Sequence, residues 1–207
     1  MTDSDTQQQI LKHLGYPEAQ VPDPQVLDFM ARAWEDLEKL SDFKYLYAEY
    51  STLPDFLMQS EAYREYLAGS DGLLLCATTL GSRIDQHIQR MQLREMAYTV
   101  VLNAAAGVYL EQKSDDFEKA LPYSELGYRF CPGYSGTPLD DNRTIAWLLH
   151  AHRIGITFLD SGLMVPSKSM TGIIRIGGQA RKSCAGCVNL QHCPYRERNT
   201  KCYSESL

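Results

Sequence analysis

The chain has 207 residues, 44% hydrophobic and 22% charged, close to the globular average, which excludes a mostly disordered chain. A mean hydropathy of −0.33 and the lack of any apolar run of about 18 residues exclude a membrane-spanning helix. The net charge of −6 argues against general nucleic-acid binding, and the polar start MTDSDTQQQ has neither the basic residues nor the apolar run of a signal peptide, so a cytoplasmic protein is expected.

In chain order, Pro22-Asp23-Pro24 sets up a helix start. Val26, Leu27, Met30, Ala33, Trp34, Leu37 and Leu40 follow at helical spacing. Residues 43–50 are aromatic-rich and read as a strand stopped by Pro54. Residues 60–67 read as a short helix ended by Gly69, and the apolar run 72–80 as a buried strand containing an inert, buried Cys76. Ile84, Ile88 and Met91 line one helix face. Met96, Val100, Val101, Ala104, Ala105 and Val108 line another, whose small residues predict close central packing. Residues 128–137 are a Gly/Pro-punctuated loop. Asp140 or Asp141 can cap a helix over 144–152. Residues 169–176 alternate as a strand, and Gly177-Gly178 breaks it.

The most unusual stretch of the main body is Arg129-Phe130-Cys131-Pro132-Gly133-Tyr134-Ser135-Gly136-Thr137-Pro138. Pro132 fixes its own φ and biases Cys131 to extended geometry. Gly133 and Gly136 permit close approach of a ligand to the backbone. Arg129 offers a donor fork that fits a carboxylate, and Tyr134 a ring face for a flat base or a cation. Such a loop suits an amino-acid-like, cationic, heteroaromatic ligand, although a Pro-Gly turn with a surface Arg is also an ordinary loop.

The pattern Arg-x-x-Pro-Gly-Tyr-x-x-x-Pro resembles the S-adenosylmethionine-binding signature of the activation (reactivation) domain of cobalamin-dependent methionine synthase. The stretch Leu159-Asp160-Ser161-Gly162-Leu163-Met164-Val165-Pro166-Ser167-Lys168-Ser169-Met170-Thr171-Gly172 is similar to that family's L-T-E-S-x-x-M-x-P-x-x-S-V-S-G segment, in the same order along the chain. Leu14-Gly15-Tyr16 and the strand at 75–80 resemble small stand-alone relatives, and the similarity spans roughly residues 10–178. The resemblance implies S-adenosylmethionine binding and docking on a cobalamin-binding methyltransferase protein. There, one electron from a flavodoxin- or ferredoxin-type donor and the methyl group of S-adenosylmethionine regenerate methylcobalamin. It implies that Arg129 holds the ligand carboxylate, that backbone at Cys131 and Gly133 lines the ligand, and that Tyr134 packs beside it. Cys131 stands where the family has an alanine, Asp160 where it has a Glu, and Tyr123 where it has the acid six positions before the Arg. Glu125 is a nearby acid at an unmatched position.

Charge and cysteines set the C-terminus apart. Residues 1–128 carry 10 basic and 21 acidic side chains, a net of −11. Residues 175–202 carry six basic ones against Glu197 alone, a net of +5. Cys184, Cys187, Cys193 and Cys202 lie in that basic tail, spaced to close a tetrahedral thiolate site for zinc or an iron–sulfur cluster, with free thiols as the third option. His192 could replace one sulfur but reads more simply as a loop residue. An iron–sulfur cluster is favoured over zinc only because the resembled activity needs an electron. Arg181, Lys182, Arg196 and Arg198 could dock on an acidic cobalamin protein or electron donor, in preference to nucleic acid.

His150 and His152 read as surface or cap residues two apart on a helix, Asp115-Asp116 and Asp140-Asp141 as helix-start charges and solvated faces, and Tyr45, Tyr47 and Tyr50 as sheet packing, with a partner surface as the lesser reading. No P-loop, Rossmann fingerprint, nucleophile elbow or His-Glu-x-x-His motif is present.

The expected fold is α+β, a twisted, mainly antiparallel sheet with surrounding helices. The expected domains are 1–178, activation-domain-like, and 179–207, a cysteine-rich metal- or cluster-binding tail. The expected function is an S-adenosylmethionine-binding protein that supports reactivation of a separate cobalamin-dependent methyltransferase, since no Asp-x-His-x-x-Gly motif is present. It would act as a component of a methyltransferase-class system, meeting cobalamin only through a partner protein. The alternative is a metal- or iron–sulfur-binding adaptor with a vestigial S-adenosylmethionine site.

Overall fold

The side chain of Asp3 accepts from the Thr6 amide at 2.7 Å and that of Asp23 from the Gln25 amide at 2.8 Å. Each satisfies a first-turn donor and so opens a helix: α1 (Ser4–His13) and α2 (Pro24–Leu40). The structure, a computed structural model, describes residues 3–17, 20–178 and 191. Cys184, Cys187, His192, Cys193 and Cys202, with the tail's basic residues from Arg181 to Lys201, lie outside the described residues.

The remaining elements are β1 (Lys44–Tyr50), α3 (Asp55–Met58), α4 (Glu61–Leu67), β2 (Gly72–Thr79), α5 (Ser82–Gln92), α6 (Met96–Lys119), α7 (Asp141–Leu148), a 3-10 turn (Ala151–Ile154), β3 (Thr157–Phe158), β4 (Met164–Val165) and β5 (Ser169–Ile176). The sheet runs β1-β2-β5, and β3-β4 is a separate hairpin. The strand ends fix the directions. Asp42 N bonds Leu80 O at 2.8 Å, while Gly72 abuts the Tyr50 carbonyl. Leu80 N bonds Lys168 O and Asp71 N bonds Ile176 O, each at 2.9 Å. Both neighbours of β2 are therefore antiparallel, and the α+β expectation holds.

The chain divides into two units, residues 1–46, 78–121 and 150–170, and residues 47–77, 122–149 and 171–207. In the first, α6 packs on α1, α2 and α5 and supplies Leu102, Ala105 and Ala106 to a core shared with Met30, Leu37 and Ile84. Gly107 leaves room for the His13 ring, 3.8 Å from where a Cβ would stand. In the second, Tyr63, Tyr66, Tyr128 and Phe130 form an aromatic cluster with ring centroids 4.9–6.3 Å apart. Among the described residues no helix is long and apolar enough to cross a membrane.

Several expectations change. Met96 and Val100 are 57% and 54% exposed, because the rest of α6 already fills the core from the other positions. The helix after the loop is Asp141–Leu148, not 144–152, and Asp140 stands at its N-cap without its side chain accepting a capping bond. Asp141 is engaged by Tyr63 and Asp140 by Arg143 instead. His150 adopts φ +53, ends the helix and caps the 3-10 turn that contains His152, so the two are exposed cap and surface residues as expected but do not share a helix. Asp115 and Asp116 are solvent-exposed as expected, but lie near the C-terminal end of α6, not at a helix start. β5 does not alternate, being buried on both faces along nearly its whole length, and a further segment pairs along its outer edge. α1, α3 and the β3–β4 hairpin are too short or too weakly apolar to stand out in the sequence.

Candidate ligand site

That outer segment carries the arginine of the signature. Antiparallel bridges join Leu126 to Ile176 and Phe130 to Ile173. Phe130 and Ile173 exchange both amide bonds, at 2.8 and 2.9 Å, and Gly127 N bonds Arg175 O at 3.0 Å. Between the bridges, Gly127, Tyr128 and Arg129 stand opposite Ile174 and Arg175 alone. This two-against-three count is a bulge, a device that re-aims side chains.

The bulge sets two arginine stems across two glycines. A Cβ on Gly172 would lie 2.9 Å from Arg129 Cδ and closer still to its Cγ. A Cβ on Gly127 would lie 3.0 Å from Arg175 Cδ and closer to its Cγ. Arg129 is consequently only 9% exposed. Below it, the Cys76 thiol points at the Gly172 carbonyl at 3.5 Å, which agrees with a buried, packing role for that cysteine. Arg175 is locked by Nε to Gly177 O at 3.0 Å and Nη1 to Tyr66 O at 3.1 Å.

Beyond Phe130 the chain leaves the sheet. Cys131 is half-buried, Pro132 buried and Gly133 exposed at φ +91. A tight turn follows, with Ser135 at φ +53 and Gly136 at φ +77. Thr137 latches it: its hydroxyl accepts from Gly133 N at 3.0 Å and donates to Tyr134 O at 2.8 Å, and its amide reaches the same carbonyl at 3.0 Å. The Gly133 amide is thus engaged within the loop. Tyr134 is 66% exposed.

Tyr63 on α4 supports the loop from one side. Its ring meets Phe130 edge-on at 5.3 Å and its hydroxyl donates to Asp141 Oδ2 at 3.0 Å. Burial pushes the Tyr63 phenol well above its ordinary value, and the neighbouring Asp141 charge adds to it. Burial likewise pushes the Asp141 carboxyl up, against the opposing bond from Tyr63.

The two segments noted in the sequence meet here, since Arg129 of the first lies across Gly172 of the second. The rest of the second segment forms other structure. Asp160 is exposed in the β3–β4 turn, and Ser167 bonds Asp85 through N at 2.6 Å and Oγ at 2.9 Å. Tyr123 donates to Glu49 at 2.6 Å, and that bond pushes its phenol up to about 12. Thr137, Tyr63 and Asp141 carry no motif, and only the small residues around Thr137 signalled a turn. Among the described residues no group of three or more His, Cys, Asp or Glu side chains could hold a metal.

Neither a protein family nor a curated protein matches the sequence. Among solved structures, the chain is similar to the MetH reactivation domain bound to AdoHcy. The TM-score is 0.59 and the identity 12%, over 84% of this chain and 74% of that one. At that identity the likeness speaks for the fold, and the described chain has the fold of the MetH reactivation domain.

Proposed function

We propose that this protein binds S-adenosylmethionine at the Arg129–Tyr134 loop and supports reductive reactivation of a separate cobalamin-dependent methyltransferase. The observation that carries this is the signature arginine, laid across Gly172 and buried, in a chain whose fold is that of a domain solved with AdoHcy bound. The residues present suit the ligand. The Arg129 guanidinium matches its carboxylate. Gly133, exposed and without a Cβ, allows an extended ligand to lie close to the backbone that follows the half-buried Cys131. The Tyr134 ring offers a face to the adenine or the sulfonium. When bound, S-adenosylmethionine supplies the methyl group. The chain's own share is to hold and orient it, while cobalamin belongs to the partner and the electron to a flavodoxin- or ferredoxin-type donor.

The proposal extends to the tail. Cys184, Cys187, Cys193 and Cys202 form a metal- or cluster-binding segment over 179–207, and its basic residues meet the acidic partner or donor. Spacing supports ligation of either zinc or iron–sulfur.

Calorimetric titration with S-adenosylmethionine tests the first part. Binding to the wild type, weakened at least tenfold in Arg129→Ala, is expected. No heat with the wild type, or unchanged affinity in the variant, sinks it. The visible spectrum of protein purified without oxygen tests the second: a cluster absorbs near 400 nm, roughly where thiolate-bound iron–sulfur centres do, whereas stoichiometric zinc leaves it colourless and ends an electron-relay role.

A further inference from the structure

The corner where α5 turns into α6, within the first unit, carries apolar side chains that the core does not use. Leu93, in the short connection, is 90% exposed, and Met96 and Val100, one turn apart on α6, stand outward as well. Three neighbouring apolar side chains left in water mark a surface patch, where single ones need no explanation. The far end of this face is closed by Lys168, whose Nζ bonds the carbonyl of Asn103, one turn beyond Val100, at 3.0 Å. Beside Leu93, a shallow depression of about 400 Å³ runs along the outer face of α5, lined by Gln86, Gln89 and Arg90.

The charge on this corner is opposite in sign to the acidic excess of residues 1–128, which carry 10 basic and 21 acidic side chains. Over residues 82–100 the only acids are Asp85 and Glu95, and both are engaged inside the chain. Asp85 accepts from Ser167 N at 2.6 Å and Oγ at 2.9 Å, and Glu95 from Arg32 at 2.7 Å. Arg90 spends only its Nε, on the Gln86 carbonyl at 3.3 Å, and Arg94 is exposed beside Leu93. Among the described residues neither arginine pairs with a carboxylate. Burial pulls the Lys168 ammonium below its ordinary value, against the opposing Asp85 charge. A carboxylate arriving at that end would offset a cost the fold already carries.

We propose that this corner docks an acidic protein segment, one with an apolar stripe flanked by carboxylates. Leu93, Met96 and Val100 supply the apolar centre, with Arg90 and Arg94 at one end and Lys168 at the other. An apolar centre with a charged rim is how protein interfaces are built, and complementary charge selects the partner. A second copy of this chain, docked face to face, would set basic side chains against basic side chains. An anionic membrane would attract the corner but repel the acidic excess of the chain, whereas a protein segment meets the patch alone. Nothing in this reading depends on S-adenosylmethionine.

The probe is a helical peptide with leucines at helical spacing and glutamates elsewhere, and its counterpart carries lysines in place of the glutamates. Amide NMR shifts at Leu93, Met96 and Val100 of the full chain are the readout. Saturable shifts with the acidic peptide alone are expected, weakening as salt rises. Affinity should fall roughly tenfold in two exposed-site double variants, Arg90→Glu with Arg94→Glu and Met96→Ser with Val100→Ser. Thermal melts check that both fold, and either one alone keeps the proposal testable. No saturable shift, equal shifts with the lysine peptide, or wild-type affinity in a folded variant overturns it. Shifts at these residues with phosphatidylserine vesicles and none with the peptide would make the occupant a membrane. Sedimentation as a dimer that the serine variant dissociates would make it a second copy, and either result overturns the proposal too. The titrations contain no S-adenosylmethionine, so their failure is distinct from failure of the ligand site.

Discussion

Alanine at position 172 would bring a methyl carbon to 2.9 Å from Arg129 Cδ, too close for any real contact. Arg129 must then move. Gly172→Ala is expected to lower S-adenosylmethionine affinity at least tenfold, about 1.4 kcal/mol, although residue 172 need not touch the ligand. Calorimetry reads the affinity, and a thermal melt shows that the fold persists. At Thr137 the prediction concerns order. Thr137→Val removes the acceptor of Gly133 N and a donor to Tyr134 O, costing about 1 kcal/mol. Hydrogen exchange at the Gly133 amide should accelerate markedly, because the turn opens locally. An unchanged exchange rate would show that the latch does not hold the loop.

Between elements, Asp36 ties three helices of the first unit together. From α2 it accepts from Tyr98 on α6 at 2.6 Å and from His87 on α5 at 2.8 Å. Arg32 lies 3.9 Å over the Tyr98 ring and pairs with Glu95 at 2.7 Å. Burial pushes the Asp36 carboxyl up, but the bonds from Tyr98 and His87 and the Arg32 charge outweigh it and hold the group below its ordinary value. A carboxyl lowered in the folded state contributes stability above its unfolded value, near pH 4, and loses it as pH falls through the folded value. Asp36→Asn should therefore cost about 2 kcal/mol at pH 7, and the gap from wild type should close below roughly pH 4. Urea unfolding at pH 7 and pH 3 measures both.

At the scale of the whole molecule, the core cluster draws on residues 10–110, with Met170 packed against it. Replacing Cys184 and Cys187 by serine should abolish stoichiometric metal, measured by elemental analysis, while leaving the S-adenosylmethionine heat intact. A collapse of the melting transition in that variant would show instead that the tail staples the fold.

The long apolar periods were legible because burial imposes them directly. α2, β2 and the apolar positions of α6 in the first unit's core follow from spacing. The signature loop was legible from its residue types, as was Cys76 as a core residue. The sequence did not show that 125–130 pairs with β5, since the segment is short, lacks alternation and reads as loop. Nor did it show Tyr63 or Asp141 as supports, because they act through each other across 78 positions, or Thr137 as a latch, because a threonine in a turn carries no pattern that tells which way its hydroxyl faces.

By itself, then, the sequence determined which residue types stand where, and with them the α+β class and the arginine that marks the loop. Only the tertiary structure decided that this arginine lies across Gly172, with Arg175 across Gly127 in reciprocal fashion. The reason is geometric. A chain pattern records the period of burial along one element, but the fit of a side chain over a glycine on another strand depends on register, and here a one-residue bulge sets that register.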